Sequence, residues 1–155
     1  MNRRTFLASA ALVALARPAR AQAYEITLTE AEWRARLTPA QYAVLRGDDT
    51  EPAGSSLLEH ETRSGTFACA GCALPLFSSA QKYDSGTGWP SFWQPLPGAV
   101  GTSPDPRRFG GLFGSRTEAH CRRCGGHLGH VFDDGPAPTG KRWCMNGVAM
   151  VFIAT

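Results

Sequence analysis

Five cysteines divide into two short clips and a remainder. Cys69/Cys72 and Cys121/Cys124 are Cys-x-x-Cys pairs, and Cys144 stands alone within Arg142-Trp143-Cys144-Met145-Asn146. Four thiolates in two clips can close a tetrahedral zinc site, and a structural site of that kind leaves no open position for chemistry. The alternatives are a local redox disulfide in each clip or disulfides crossed between them. The expected cofactor is a structural Zn2+. Cys144 then has no partner. A thiol two residues from Arg142 is a candidate nucleophile, because a nearby cation favours the thiolate.

Two further stretches supply what a thiol-based reduction requires. His127, His130 and Asp134 are candidate proton donors or relays, and Asn146 offers a neutral hydrogen-bond donor. Trp89 and Phe92, in Gly88-Trp89-Pro90-Ser91-Phe92, offer an aromatic wall for a methyl group. Each piece has a plainer alternative: a lone cysteine is often an inert buried thiol, and a strand histidine often a structural one. His60 and His120 are read that way, with His120 a candidate brace for the zinc loop.

The elements that position these residues are short. Thr29-Glu30-Ala31-Glu32 is a capping box and predicts a helix to about Arg36. Thr38 and Pro39 start a second short helix, with Tyr42 and Leu45 on one face. After Asp48, glycine and proline become frequent, and residues 65–68, 116–120, 129–132, 141–145 and 149–153 read as strands. The expected fold is mainly β: two small antiparallel sheets with short N-terminal helices. Along a regular strand His127 and His130 fall on opposite faces. If both serve one pocket, Gly125, Gly126 or Gly129 must break the pleat, as a bulge would. Arg142, Cys144 and Asn146 share one face.

Residues 1–23 read as a twin-arginine export signal. Arg3-Arg4 precedes an apolar run from Leu7 to Ala16, too short for a spanning helix, with small-x-small cleavage candidates ending at Ala21 and Ala23. The alternative is a basic N-terminus that merely contains Arg-Arg. Residues 24–155 form one domain. The signal carries four arginines and no acids, so its removal takes the formal charge from +3 to −1. That argues against a nucleic-acid partner. No other stretch is apolar enough to anchor in a membrane. Residues 105–111, with Arg107 and Arg108, look like a variable loop with a solvated basic face.

The chain resembles the type B methionine sulfoxide reductases. The matching segments are Glu32-Trp33, Leu37-Thr38, Gln41-Tyr42, Thr50-Glu51, Cys69 to Cys72, Leu76 to Ser79, Lys82 to Phe92, Arg116 to Glu118, Gly126 to Phe132 with Asp134 to Pro136, and Arg142 to Asn146. The resemblance implies a reductase for the R epimer of peptide methionine sulfoxide. Cys144 would be the attacking thiolate. His127, His130 and Asn146 would line the site. Trp89 would hold the substrate methyl beside Phe132, and Arg142 would favour the thiolate. Many relatives carry a resolving cysteine where this chain has Thr87, so an external dithiol, such as an exported thioredoxin-like protein, is expected to resolve the sulfenic acid. Gly147 stands where relatives often place serine. A periplasmic monomer acting on oxidised methionine in proteins is the expected setting. The rival reading is a zinc-clipped binding module without chemistry.

Overall fold

The computed structural model describes residues 24–105 and 116–155. Residues 1–23, read above as an export signal, and the loop arginines Arg107 and Arg108 lie outside the described residues. Both helices start on reciprocal caps. In α1 (Glu30–Arg36) the Thr29 hydroxyl accepts from the Glu32 amide while the Glu32 carboxylate takes the Thr29 amide. In α2 (Pro39–Gly47) Thr38 and Gln41 repeat the exchange, and Asp48 closes the helix in the left-handed conformation. No helix among the described residues is long and apolar enough to cross a membrane.

Nine strands follow among the described residues: β1 Gly65–Cys69, β2 Pro75–Ser78, β3 Lys82–Tyr83, β4 Ser91–Phe92, β5 Val100–Pro104, β6 Thr117–Cys121, β7 His127–Phe132, β8 Arg142–Met145 and β9 Met150–Ala154. They form two antiparallel sheets, in the orders β2-β1-β9 and β3-β4-β8-β7-β6-β5. The expected mainly β architecture is observed. Strands β2 to β5 were not among the expected ones. β3 and β4 have two residues each, and β5 carries Gly101 and Pro104, a composition that strands tolerate mainly at an edge. β5 is an edge strand.

The core is aromatic. Phe77 of β2 stacks on Phe92 of β4 at 4.3 Å between centroids, and Phe67 of β1 meets Phe92 edge-on at 4.9 Å. These contacts join the two sheets. Trp33 of α1 and its C-cap Leu37, with Val44 and Leu45 of α2, are buried in the same cluster, which fixes the helices against it. Removal of this apolar surface from water stabilises the fold at roughly 25 cal/mol per Å².

Candidate active site

The two clips meet although they belong to different sheets: one follows β1, the other joins β6 to β7. Cys69 Sγ lies 3.8 Å from Cys124 Sγ, and Cys72 Sγ 3.5 Å from Cys121 Sγ; all four sulfurs fall within 4.8 Å of one another. Four sulfurs at about 2.3 Å from a tetrahedral ion stand about 3.8 Å apart, so the donor set fits zinc in both type and spacing. The loops are also held by arginines: Arg36 donates to the Gly71 carbonyl, Arg46 to that of Cys124 and Arg123 to that of Cys72.

The remaining thiol lies elsewhere, on the larger sheet. Cross-strand pairing sets Ser91, Cys144, His130, Glu118 and Ser103 in one row running from β4 to β5. Residues paired across antiparallel strands share a face, so this row is the floor of the site. Cys144 is half-buried and opens onto a cavity of about 70 Å³ lined by Trp89, His130, Phe132, Asn146, Thr50 and Arg116, among others.

The two histidines do share that face. Between β6 and β7, Ala119 pairs with Gly129 but the next residue, His120, pairs with His127. Leu128 is therefore the extra residue of a bulge and is turned into the core. Gly129 has φ +155°, and a Cβ there would strike the Cys144 carbonyl oxygen. Glycine is thus required both for the conformation and for the close approach of β8. The bulge brings the rings of His127 and His130 to 5.3 Å, edge to face.

His127 is buried and stands behind His130, outside the cavity lining. Its Nδ1 bonds Glu118 Oε1 at 2.9 Å, and Ser103 donates to the other Glu118 oxygen at 2.8 Å. The bond from His127 holds the Glu118 carboxyl down at about 2. His127 Nε2 has no hydrogen-bond partner among the described residues. His130 lies beside Asp105, Nε2 to Oδ2 at 3.1 Å. Burial pushes the His130 imidazole below its usual value, with Asp105 opposing.

Arg142 is held by two 2.8 Å bonds to Asp134 and lies over the Phe132 ring at 4.3 Å. Asp134 is exposed at the surface, and neither it nor Arg142 lines the cavity; Arg142 borders it through the Phe132 ring. Asn146 has both ends of its amide committed: Oδ1 accepts from the Glu51 amide and Nδ2 donates to the Leu128 carbonyl. Phe92 is fully buried in the core and forms no part of the wall.

Sequence reasoning assigned no role to Glu51, Glu118 or Asp105. Glu51, marked in the sequence only as part of a matching segment, is the most connected. Its carboxylate accepts from the amides of Gly147 (2.6 Å) and Val148 (2.9 Å), its own amide meets Asn146, and its carbonyl accepts the Trp89 indole N–H at 3.1 Å. Gly147 also finds its reason here: a side chain would run into Ser56. Glu118 and Asp105 are each the acceptor for a site histidine, a pairing visible only once β5, β6 and β7 are in register.

A half-buried lone thiol beside an indole and an imidazole, on a β scaffold fastened by four cysteines elsewhere, defines a class of thiol-dependent reductase. The chain belongs to the SelR domain family, that of the type B methionine sulfoxide reductases, whose model matches residues 37–154. It is similar to peptide methionine sulfoxide reductase MsrB of Leptospira interrogans, 46% identical over 129 residues that cover 83% of this chain and 96% of the relative. The protein of the same name from Bradyrhizobium diazoefficiens is 50% identical over 126 residues, 81% of this chain and 88% of the relative. Chloroplastic peptide methionine sulfoxide reductase B1 of Arabidopsis thaliana is 47% identical over 124 residues, 80% of this chain and 60% of that protein.

Proposed function

We propose that this chain is a peptide-methionine (R)-S-oxide reductase that repairs oxidised methionine in exported proteins, with Cys144 as nucleophile. The supporting observation is the cavity onto which the Cys144 sulfur opens, bounded by the Trp89 indole, the Phe132 ring and the His130 imidazole. An apolar wall takes the methyl group, and polar groups take the oxygen.

Sulfoxide sulfur is electrophilic, but its oxygen is a poor leaving group. The Cys144 thiolate attacks that sulfur while the oxygen is protonated from the histidine side. The hydroxyl passes to the Cys144 sulfur as the sulfoxide S–O bond and the transient S–S bond break; methionine departs two electrons richer, and Cys144, two electrons poorer, is left as sulfenic acid. His127, held through Nδ1 by Glu118, packs edge to face against His130 and keeps its ring in place. Arg142 favours the thiolate, and Asp134 holds Arg142 in place. Zn2+ on Cys69, Cys72, Cys121 and Cys124 supplies structure and takes no part in the chemistry.

The four clip sulfurs are close-packed around one another, which leaves Cys144 without an internal thiol. An external dithiol, a thioredoxin-like protein of the same compartment, then attacks the sulfenic sulfur and releases water. Its second thiol frees Cys144 and leaves the reductant as a disulfide. Twin-arginine export of residues 24–155 to the periplasm suits a protein that must acquire its metal and fold first.

The test is turnover of separated R and S sulfoxides of a methionine peptide with dithiothreitol. The R epimer should be reduced, and Cys144→Ser should abolish this with zinc content and melting temperature retained. Undiminished turnover by Cys144→Ser would remove Cys144 from the chemistry and favour a binding module.

A further inference from the structure

The catalytic cavity is too small for more than the end of a side chain. At about 70 Å³ it has room for a methylsulfinyl group but not for the polypeptide that bears it. The substrate main chain must therefore leave past one of the lining residues. Thr50 is exposed and lines both this cavity and a second, open one of about 800 Å³.

This second cavity is a groove between the 49–58 segment, α2 and β9. Its walls are largely apolar, with Ala43, Leu58, Val148 and Met150, and an ion pair of Glu61 with Arg63 at its edge. Leu57, in the short 3₁₀ turn at 57–60, is 90% exposed, and Val151 on β9 is 40% exposed. A leucine left almost wholly in water at the rim of an apolar groove marks a surface that something covers. The volume lies in the range of pockets that take small organic ligands or a few residues of chain. Asn146 and Gly147, adjacent in sequence, line the small and the large cavity respectively. Glu51, on the floor of the groove, is bonded to both.

We propose that this groove binds the stretch of substrate polypeptide adjoining the oxidised methionine, an extended segment carrying apolar side chains, as an unfolded region of a damaged protein would. The proposal rests on the reductase reading of the neighbouring cavity.

Three substrates separate the possibilities: N-acetyl-methionine R-sulfoxide, a peptide with leucines flanking the sulfoxide, and the same peptide with serines. The unaltered protein should turn over the leucine peptide with kcat/KM about tenfold above the serine peptide, chiefly through KM, as burial of one leucine side chain allows. Leu57→Asp, at a position outside the core, should erase that preference and leave N-acetyl-methionine sulfoxide reduction unchanged. Leu57→Ser with Val151→Thr should do the same without adding charge. Equal kcat/KM for the two peptides, or a preference surviving both variants, overturns the proposal. Fluorescence anisotropy with a labelled leucine peptide carrying norleucine in place of the sulfoxide reads the groove independently of chemistry. Binding that Leu57→Asp weakens, with no turnover of any sulfoxide, supports the groove and sinks the reductase reading. Turnover without such binding does the reverse.

Discussion

The Thr87 hydroxyl lies 3.8 Å from the Cys144 sulfur. Thr87 in turn bonds Ser85 at 2.8 Å, and Ser85 bonds Ser91 at 2.7 Å. A hydroxyl thus occupies the place from which a second thiol would reach the nucleophile. Thr87→Cys should therefore convert the cycle. After one turnover without reductant, mass spectrometry should find a disulfide between the introduced thiol and Cys144 in the variant, whereas the unaltered protein retains a sulfenic acid that dimedone traps. A disulfide of Cys144 with a clip cysteine in the unaltered, metal-loaded protein would contradict the external-dithiol cycle.

Glu51 shows why part of a site escapes sequence reading. Its carboxylate bonds to Gly147 and Val148, about a hundred residues away, and no local pattern announces that. Glu51→Ala removes two charge-assisted bonds, each worth about 1.5–3 kcal/mol, and leaves the buried Gly147 amide and the half-buried Val148 amide unpaired. A loss of about 3 kcal/mol in denaturant unfolding is expected. The Asn146–Gly147 turn then loosens, and kcat/KM should fall by at least tenfold with zinc retained. Unchanged activity in a correctly folded Glu51→Ala protein would show that Asn146 and Trp89 hold their places without it.

What was legible in the chain is what local chemistry dictates. The caps at Thr29 and Thr38, the metal clips and the shared face of Cys144 and Asn146 follow from spacing alone. The pairing of His127 with His130 was legible only as a condition: a pleat break at one of three glycines. The register of β6 against β7 supplies the break at Leu128, and the clash between a Gly129 side chain and the Cys144 carbonyl supplies its reason. The acceptors Glu118 and Asp105 were illegible, because their meeting with the histidines depends on three strands coming into register. Gly129→Ala tests this. Positive φ costs on the order of 1–3 kcal/mol for a non-glycine residue, and the collision with β8 adds to it. Unfolding free energy should drop by about 3 kcal/mol or more, and residual activity should be lost as the histidine pair separates. Near-native stability would mean that β8 yields to the new methyl group.

The clip should be essential to the fold. It ties β1 of one sheet to the β6–β7 connection of the other, and the arginine bonds to Gly71, Cys72 and Cys124 presuppose ordered loops. Zinc held by cysteines is worth on the order of 10 kcal/mol, comparable with the whole stability of a domain. Removing the ion with a strong chelator should abolish cooperative thermal unfolding by circular dichroism. Readdition of zinc, measured at one equivalent, should restore it. A metal-free protein with an unchanged melting temperature would make the clip dispensable.

Acid should destabilise the protein in two separable steps. Burial sets the folded pKa of His130 below its unfolded value of about 6.5, despite Asp105; His127 and Arg116 act with burial. Protonation therefore favours the unfolded chain. The contribution of His130 is fully present above pH 6.5 and is lost as pH falls below that value toward the folded pKa. Glu118 is an acid whose folded pKa is depressed to about 2 by His127, from 4.5. Its contribution is present above pH 4.5 and is lost between 4.5 and about 2. Urea unfolding of zinc-loaded protein should show stability falling as pH drops below about 6.5, and His130→Gln should reduce that slope, leaving the part due to His120, which burial also pushes down. Glu118→Gln should leave the slope in place and lower stability at about pH 7. A His130→Gln protein with the full slope would assign the neutral-range dependence to another group.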